Sequence, residues 1–253
     1  MQRTIKEIKE SLEAVDIGDR IPMLEKLKED PRLGVQKLLQ NQENQIQHLT
    51  IEKDRVKKMM YFEEKFREYT YICGIDEVGR GPLAGPVVAG AVILPKDIEI
   101  LYINDSKQLS KKKRELLYDE IMEKAVSVGI GVVSPAVIDE INILQATYEA
   151  MRIAISKLSI TPSILLNDAV TIPKVQIKQI GIIKGDAKSI SIAAASIMAK
   201  VTRDRMMDGY HEIYPEYGFD SNKGYGSSFH IEKLKEMGPC PIHRESFIKN
   251  FIC

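Results

Sequence analysis

The sequence predicts an α/β fold, with short apolar strands separated by helices. Three observations predict it. The runs at 71–78, 86–94, 128–133, 163–168 and 175–183 are rich in Ile, Val and small apolar residues, as expected of strands buried on both faces. The stretches at about 111–126, 136–158 and 184–201 have the length and apolar content of helices that cover a sheet. The first two strands follow each other across a glycine-rich turn with no intervening helix, which points to an antiparallel pair.

Composition bounds the rest. The chain has 253 residues, of which 44% are hydrophobic, enough for a core in one large domain or in a medium domain with a small one. It has no apolar run of about 18 residues and no basic patch followed by an apolar segment at its start, so neither a membrane span nor a secretory signal is expected. The expected location is cytoplasmic. Three cysteines, Cys73, Cys240 and Cys253, lie far apart, which fits reduced thiols rather than a disulfide framework. Cys240-Pro-Ile-His243 offers half of a zinc site, and no second half is present. The 36 basic and 36 acidic residues cancel, so any binding of nucleic acid must come from a local patch.

Residues 1–70 carry 14 basic and 14 acidic residues and read as a helical extension. Ile5, Ile8, Leu12 and Val15 fall near helical spacing, and Pro31 begins or breaks an element. Val56, Met59, Phe62, Phe66 and Tyr69 recur every three or four residues and form an apolar stripe that must dock on something. The first strand then runs Tyr71-Ile-Cys-Gly-Ile-Asp76-Glu77-Val78 into Gly79-Arg80-Gly81-Pro82. Two charges in such a strand are costly unless partnered. Adjacent strand residues point to opposite faces, so Asp76 and Glu77 share a site only where the strand bulges or ends, and Gly74 and Gly79 permit that. The glycines do not spell a dinucleotide fingerprint, because the spacing is one residue too long and no helix follows.

After the second strand, Asn104-Asp105-Ser106-Lys107 leads to Ser110, a plausible N-cap, and to Lys111, Lys112, Lys113 and Arg114 opening a helix. Basic residues at a helix start oppose the macrodipole, which suits phosphate contact. Residues 136–158 form one or two helices. The run 163–168 ends in Asp168, at a strand end where ligand-binding groups project. Lys184-Gly-Asp186-Ala-Lys188-Ser189 opens the long helix, with Asp186 well suited to cap it. A phosphate-binding P-loop is excluded by the missing second glycine and Gly-Lys-Ser. Lys223-Gly-Tyr225-Gly makes a late glycine loop.

Gly74-Ile-Asp76-Glu77-Val-Gly79-Arg80-Gly81-Pro82 resembles the opening motif of the type 2 ribonucleases H, and of the ribonuclease HII family in particular. The segments 185–204, 222–230 and 243–247 resemble that family's later motifs in the right order, so the likeness covers 71–253. Three departures occur: Ala169 follows Asp168 where glycine is usual, Ser227 stands for threonine, and Val78 for alanine. The resemblance implies a ribonuclease H-like mixed sheet flanked by helices over residues 71–253, with a C-terminal helical part carrying Tyr225. It also implies a monomeric endonuclease of DNA replication and repair. Such an enzyme hydrolyses the RNA strand of RNA–DNA hybrids and cuts at ribonucleotides embedded in duplex DNA, leaving 3′-hydroxyl and 5′-phosphate ends.

Asp76, Glu77, Asp168 and Asp186 are the implied catalytic and metal-binding residues. Each pair of like charges about 4 Å apart at an effective dielectric near 20 costs about 4 kcal/mol, so four converging carboxylates call for cations. An all-oxygen set suits Mg²⁺ or Mn²⁺ and disfavours zinc. Two ions roughly 3.5 to 4 Å apart would activate a water and stabilise the leaving oxygen. By the same resemblance Gly79, Arg80 and Gly81 read the 2′-hydroxyl that distinguishes RNA. Tyr225 stacks at the DNA side of the junction, and Lys107, Lys188 and Lys223 are candidates for phosphates. Rival readings are a metal-dependent nuclease of other specificity, which needs neither Gly-Arg-Gly nor Tyr225, and a non-catalytic nucleic-acid-binding module, which tolerates loss of the carboxylates.

Overall fold

The structure is a computed structural model that describes residues 3–252; Cys253 lies outside the described residues. The chain divides into two compact units, residues 1–57 and 58–253. In the first, Thr4 caps α1 (Ile5–Glu13) through a reciprocal pair of hydrogen bonds with Glu7. Ile8 and Leu12 of α1, Leu24 of α2 (Ile21–Glu25), and Val35 and Leu39 of α3 (Leu33–Met59) form its apolar core.

The second unit is built on a five-stranded sheet. Its strands are β1 (Ile72–Val78), β2 (Val87–Ile93), β3 (Ser127–Val133), β4 (Ile164–Asp168) and β5 (Lys178–Ile182), in the spatial order β3-β2-β1-β4-β5. β1 pairs antiparallel with β2 and parallel with β4, so the sheet is mixed and β1 lies at its centre. The register from Cys73↔Ile93 to Val78↔Val88 is unbroken. The bulge that would turn Asp76 and Glu77 to one face is therefore absent. What ends is the pairing with β4, whose last partners are Ile75↔Asn167, and the acidic pair begins one residue later.

Glycines let the flanking helices approach the sheet closely. A Cβ on Gly74 or Gly90 would collide with the backbone of Ser191 or Ala195 in α7 (Ile190–Ile213). One on Gly129 or Gly131 would collide with the backbone of Ala154 or Ala150 in α6 (Pro135–Ser156). These contacts assign the two faces, and the pleat puts Asp76 on the α7 face with Gly74 and Glu77 on the α6 face. α6 is two helical segments joined at Asn142, whose φ is +65° and whose Oδ1 accepts from the amides of Leu144 and Gln145. α5 (Lys111–Lys124) is capped by Ser110 as expected.

The latter part of the apolar stripe, from Phe62 on, docks within the second unit. Phe62 of α4 (Tyr61–Lys65), Phe66 and Tyr69 pack on Ile72, Ile164, Leu166, Ile182 and Ile192. Beside them Glu63 is buried, and its Oε1 accepts from the Ser189 hydroxyl at 2.5 Å and the Ser191 amide at 3.0 Å. Burial raises the Glu63 carboxyl above the ordinary glutamate range. Ser189 is the N-cap of α7 and accepts from the Ile192 amide. This corrects the expectation for Asp186, which does not cap the long helix. Asp186 sits in a separate 3-10 turn, Gly185–Ala187, entered through Lys184 at φ +57°. Three short helices complete the unit: α8 (Phe219–Asn222), α9 (Ser228–Met237) and α10 (Glu245–Ile248).

Candidate active site

Asp76 is 7% exposed, and its Oδ1 accepts from the Glu77 amide at 2.8 Å. The Ser196 hydroxyl of α7 also bonds this carboxylate, and it lies 2.9 Å from that of Ser106. Burial holds the Asp76 carboxyl well above the usual aspartate range, and the charges of Glu77 and Asp168 push it the same way. Glu77 is raised too, by burial first, with Arg80 opposing and Asp168 adding to the shift. The Arg80 guanidinium lies 3.5 Å from Glu77 Oε1. Asp168 ends β4, and its Oδ1 accepts from the Gly185 amide at 2.7 Å, which fixes the Asp186 turn beside the strand end. Asp186 is half-buried; burial raises its carboxyl, and the charges of Asp105 and Asp168 add to this against the pull of Lys107.

The four predicted carboxylates are thus electrostatic neighbours at the open end of the β1–β4 pair. Among the described residues, however, no three acidic, His or Cys side chains converge tightly enough to form a ready ligand cluster. The donor set itself fits a hard cation: it is all oxygen, half-buried or buried, and Asp76, Glu77 and Asp186 resist ionising. The zinc half-site gains no partner set. Cys240 Sγ lies 3.2 Å from His243 Nδ1, and the other nitrogen of that ring bonds His230 instead.

The basic residues differ among themselves. Partial burial works against the charge of Lys107, but Asp105, Asp76, Asp186 and the Tyr225 phenol outweigh it and hold the ammonium above its ordinary range. Lys107 therefore sits among the carboxylates. Lys188 is exposed on the turn between Asp186 and Ser189. Lys223 is paired with Asp208, which also takes Lys111 at 3.2 Å. In the basic cluster, Arg114 bonds the Ser106 carbonyl at 2.9 Å, and Lys113 lies over the Tyr102 ring. Only part of that cluster is open to phosphate.

Tyr225 is 44% exposed and lies opposite Gly81, where a Cβ would meet its ring edge at 4.0 Å and nothing nearer. Behind this turn stand two arginines, Arg244 and Arg203, to which sequence alone assigns no role. Arg244 is fully buried and donates to the carbonyls of Gly79 at 2.6 Å, Arg80 at 3.0 Å and Gly85 at 2.8 and 2.9 Å. Arg203, equally buried, donates to the carbonyls of Pro86, Ala84 and Lys223 at 2.8, 3.1 and 2.8 Å. Burial and the Arg203 charge push the Arg244 guanidinium down to about 9. Two buried cations spend their donors on main-chain oxygen, fixing the Gly-Arg-Gly turn from inside and tying it to the loop that carries Tyr225. Asp105 is a fifth carboxylate, outside the motifs but only two residues before Lys107; its charge reaches both Lys107 and Asp186.

Comparison with known proteins places the chain in a family. The family model for ribonuclease HII matches residues 73–250, and the model for the ribonuclease HII N-terminal domain matches residues 4–67. The ribonuclease HII of Lachnoclostridium phytofermentans is 66% identical over 250 residues, covering 99% of this chain and 98% of that protein. That of Clostridioides difficile is 48% identical over 252 residues, covering 99% of each. Among solved structures, ribonuclease H2 of Pyrococcus horikoshii is 32% identical with a TM-score of 0.58, over 70% of this chain and 93% of that one. The ribonuclease HII of Archaeoglobus fulgidus, solved in complex with PCNA, is 28% identical with a TM-score of 0.60, over 71% and 96%. With both parts of its length matched in this way, the chain belongs to the ribonuclease HII family, whose members cleave the RNA of RNA–DNA hybrids and cut at ribonucleotides embedded in DNA.

Proposed function

We propose that cleavage is carried by Asp76, Glu77, Asp168 and Asp186, which hold Mg²⁺ or Mn²⁺. The observation that carries this reading is the mutual raising of acidic groups from β1 and the Asp186 turn, with Asp168 between them. Such a set gains most by taking up divalent cations, which enzymes of this family need. The chemistry supplied by the bound ions is activation of a water and neutralisation of charge at the leaving oxygen, giving 3′-hydroxyl and 5′-phosphate ends. Lys107, set among the carboxylates, offsets part of their repulsion and faces the approaching phosphate. Lys188 and Lys223 are further phosphate contacts, Lys223 exchanging Asp208 for the backbone. The Gly79-Arg80-Gly81 turn, held from behind by Arg244, approaches the 2′-hydroxyl, and the open space at Gly81 admits the sugar edge. Tyr225 stacks on the neighbouring deoxyribonucleotide.

Residues 1–70 serve this catalytic part, 71–253, as a helical extension. The enzyme works as a monomer in the cytoplasm, consistent with the buried, unpaired Cys73 thiol. Among the described residues no helix is long and apolar enough to cross a membrane.

The direct test is a labelled duplex carrying one ribonucleotide, incubated with and without Mg²⁺ or Mn²⁺; no cleavage in either metal would refute the proposal. A sharper test uses Asp186→Asn. Because Ser189 caps α7, Asp186 has no capping duty to lose, and the variant is expected to stay folded while its cleavage drops at least about a hundredfold. Wild-type cleavage by this variant would remove Asp186 from the metal set.

A further inference from the structure

His230 and His243 are buried, at 0% and 4% exposure, with the rings of Tyr217 and Phe219 packed around them. Their hydrogen bonds fix both tautomers. His230 Nδ1 lies 2.8 Å from the Tyr225 carbonyl oxygen, which can only accept, so Nδ1 carries the proton. At the other end His243 Nδ1 lies 3.0 Å from the Cys240 amide nitrogen, which can only donate, 3.2 Å from the Cys240 thiol, which can donate, and 3.3 Å from the Cys240 carbonyl oxygen, which can only accept; the amide contact is the shortest and its N–H points at the ring, so that Nδ1 is bare. The two Nε2 atoms are 2.9 Å apart and share one proton. A neutral His230 protonated at Nδ1 has a bare Nε2, and a neutral His243 bare at Nδ1 has a protonated Nε2. The two ends, set independently, demand the same arrangement in the middle. Donation therefore runs one way, from the Cys240 amide through His243 and His230 to the Tyr225 carbonyl. A second proton on either ring would place two N–H groups head to head. Burial keeps both rings neutral, lowering His230 and taking His243 down to about 4 with the help of the neighbouring imidazole.

We propose that His230 and His243 are positioning residues for ribonucleotide recognition: their one-way relay holds the Tyr225 main chain, and through it the phenol opposite Gly81. The inference rests on Tyr225 as the junction reader. The relay is also joined to the other fixings of this loop. The Ser227 amide reaches the same Tyr225 carbonyl at 2.8 Å, and the Gly224 carbonyl accepts from the amides of Leu83 and Ala84. Two imidazoles that merely filled a core would need no donor at this place. A positioning pair does.

The test uses the full chain. Nitrogen-detected NMR of its four histidines reads the tautomers directly. The expected result is His230 protonated at Nδ1 and His243 at Nε2, and the opposite tautomer on either ring would overturn the relay whatever Tyr225 does. His230→Asn keeps a donor near the Nδ1 position, whereas His230→Leu removes it. Cleavage of a duplex with one ribonucleotide, divided by cleavage of a continuous hybrid, is expected to fall about five- to tenfold in His230→Leu, the scale of one lost buried hydrogen bond, and to return to within about twofold of wild type in His230→Asn. Equal ratios in the two variants would overturn the positioning role. An unchanged ratio in Tyr225→Ala would overturn Tyr225 as junction reader while leaving the tautomers standing, so the two failures are distinguishable.

Discussion

Asp76 shows how one residue sets the electrostatic demand of the site. Folding removes its carboxylate from water and places it beside Glu77 and Asp168, so its pKa lies well above the ordinary 3.8. From that ordinary value upward, the folded protein binds more protons at this group than the unfolded chain, and stability falls as pH rises through the window. Asp76→Asn removes the group that titrates. In metal-free protein at pH 7 the variant is expected to melt higher than wild type, by about 2–4 °C for each kcal/mol relieved. The gain should shrink as the pH approaches 4, and scanning calorimetry across pH checks it; a gain independent of pH, or a loss, would contradict this account. The four proposed carboxylates could be named from the sequence because the motifs that resemble the family carry them one by one. Arg203 and Arg244 could not. A charged residue reads as exposed unless a distant partner is known, and their partners are carbonyls contributed by the far end of the catalytic unit.

At the scale of elements, the Gly-Arg-Gly turn separates two uses of glycine. Gly79 has φ +92°, and a Cβ there would collide with the Arg203 side chain and come within 2.7 Å of the Pro86 carbonyl. Gly81 has no such conflict within the protein. Gly79→Ala is therefore expected to lose at least about 1–3 kcal/mol of stability. Gly81→Ala should melt within about 2 °C of wild type yet lose most of its affinity for ribonucleotide-containing duplex. Melting curves paired with binding titrations check both, and a stable Gly79→Ala or a fully binding Gly81→Ala would contradict the division of roles. The strands were readable from their apolar runs, and the antiparallel pairing of the first two from their short connection, but the spatial order of the sheet was not. Nor were two local features. The cap of α7 was ambiguous because Asp186 and Ser189 both have capping side chains, and the choice falls to Ser189 because Glu63, 126 residues away in sequence, takes its hydroxyl proton. Ala169 after β4 stands at φ +55°, so the glycine usual in the family is replaced by a residue that bears a left-handed conformation without disrupting the Asp168 end.

On the scale of the molecule, the two compact units meet in sequence between Lys57 and Lys58. The apolar stripe read from the sequence had to dock somewhere, but its target could not be named, since the cluster that receives it is assembled from β1, β4, β5 and α7. A chain beginning at Lys58 keeps Phe62, Glu63 and Phe66 and is expected to fold and cleave. One beginning at Glu68 strips them from Ile72, Ile164 and Ile192 and should melt several degrees lower or precipitate. Residues 1–57 hold 11 basic and 11 acidic residues, so their removal should leave the slope of log K against log salt nearly unchanged. A much flatter slope would instead place phosphate contacts in the extension. The arginine clamp has a consequence for biosynthesis. The carbonyl of Gly79 emerges from the ribosome early, but the guanidinium that holds it belongs to a residue 165 positions later. While the nascent chain is still being extended, the sheet can form but the turn proposed to approach the sugar remains unclamped, so on that proposal the nuclease is armed only when translation of its catalytic unit is almost done.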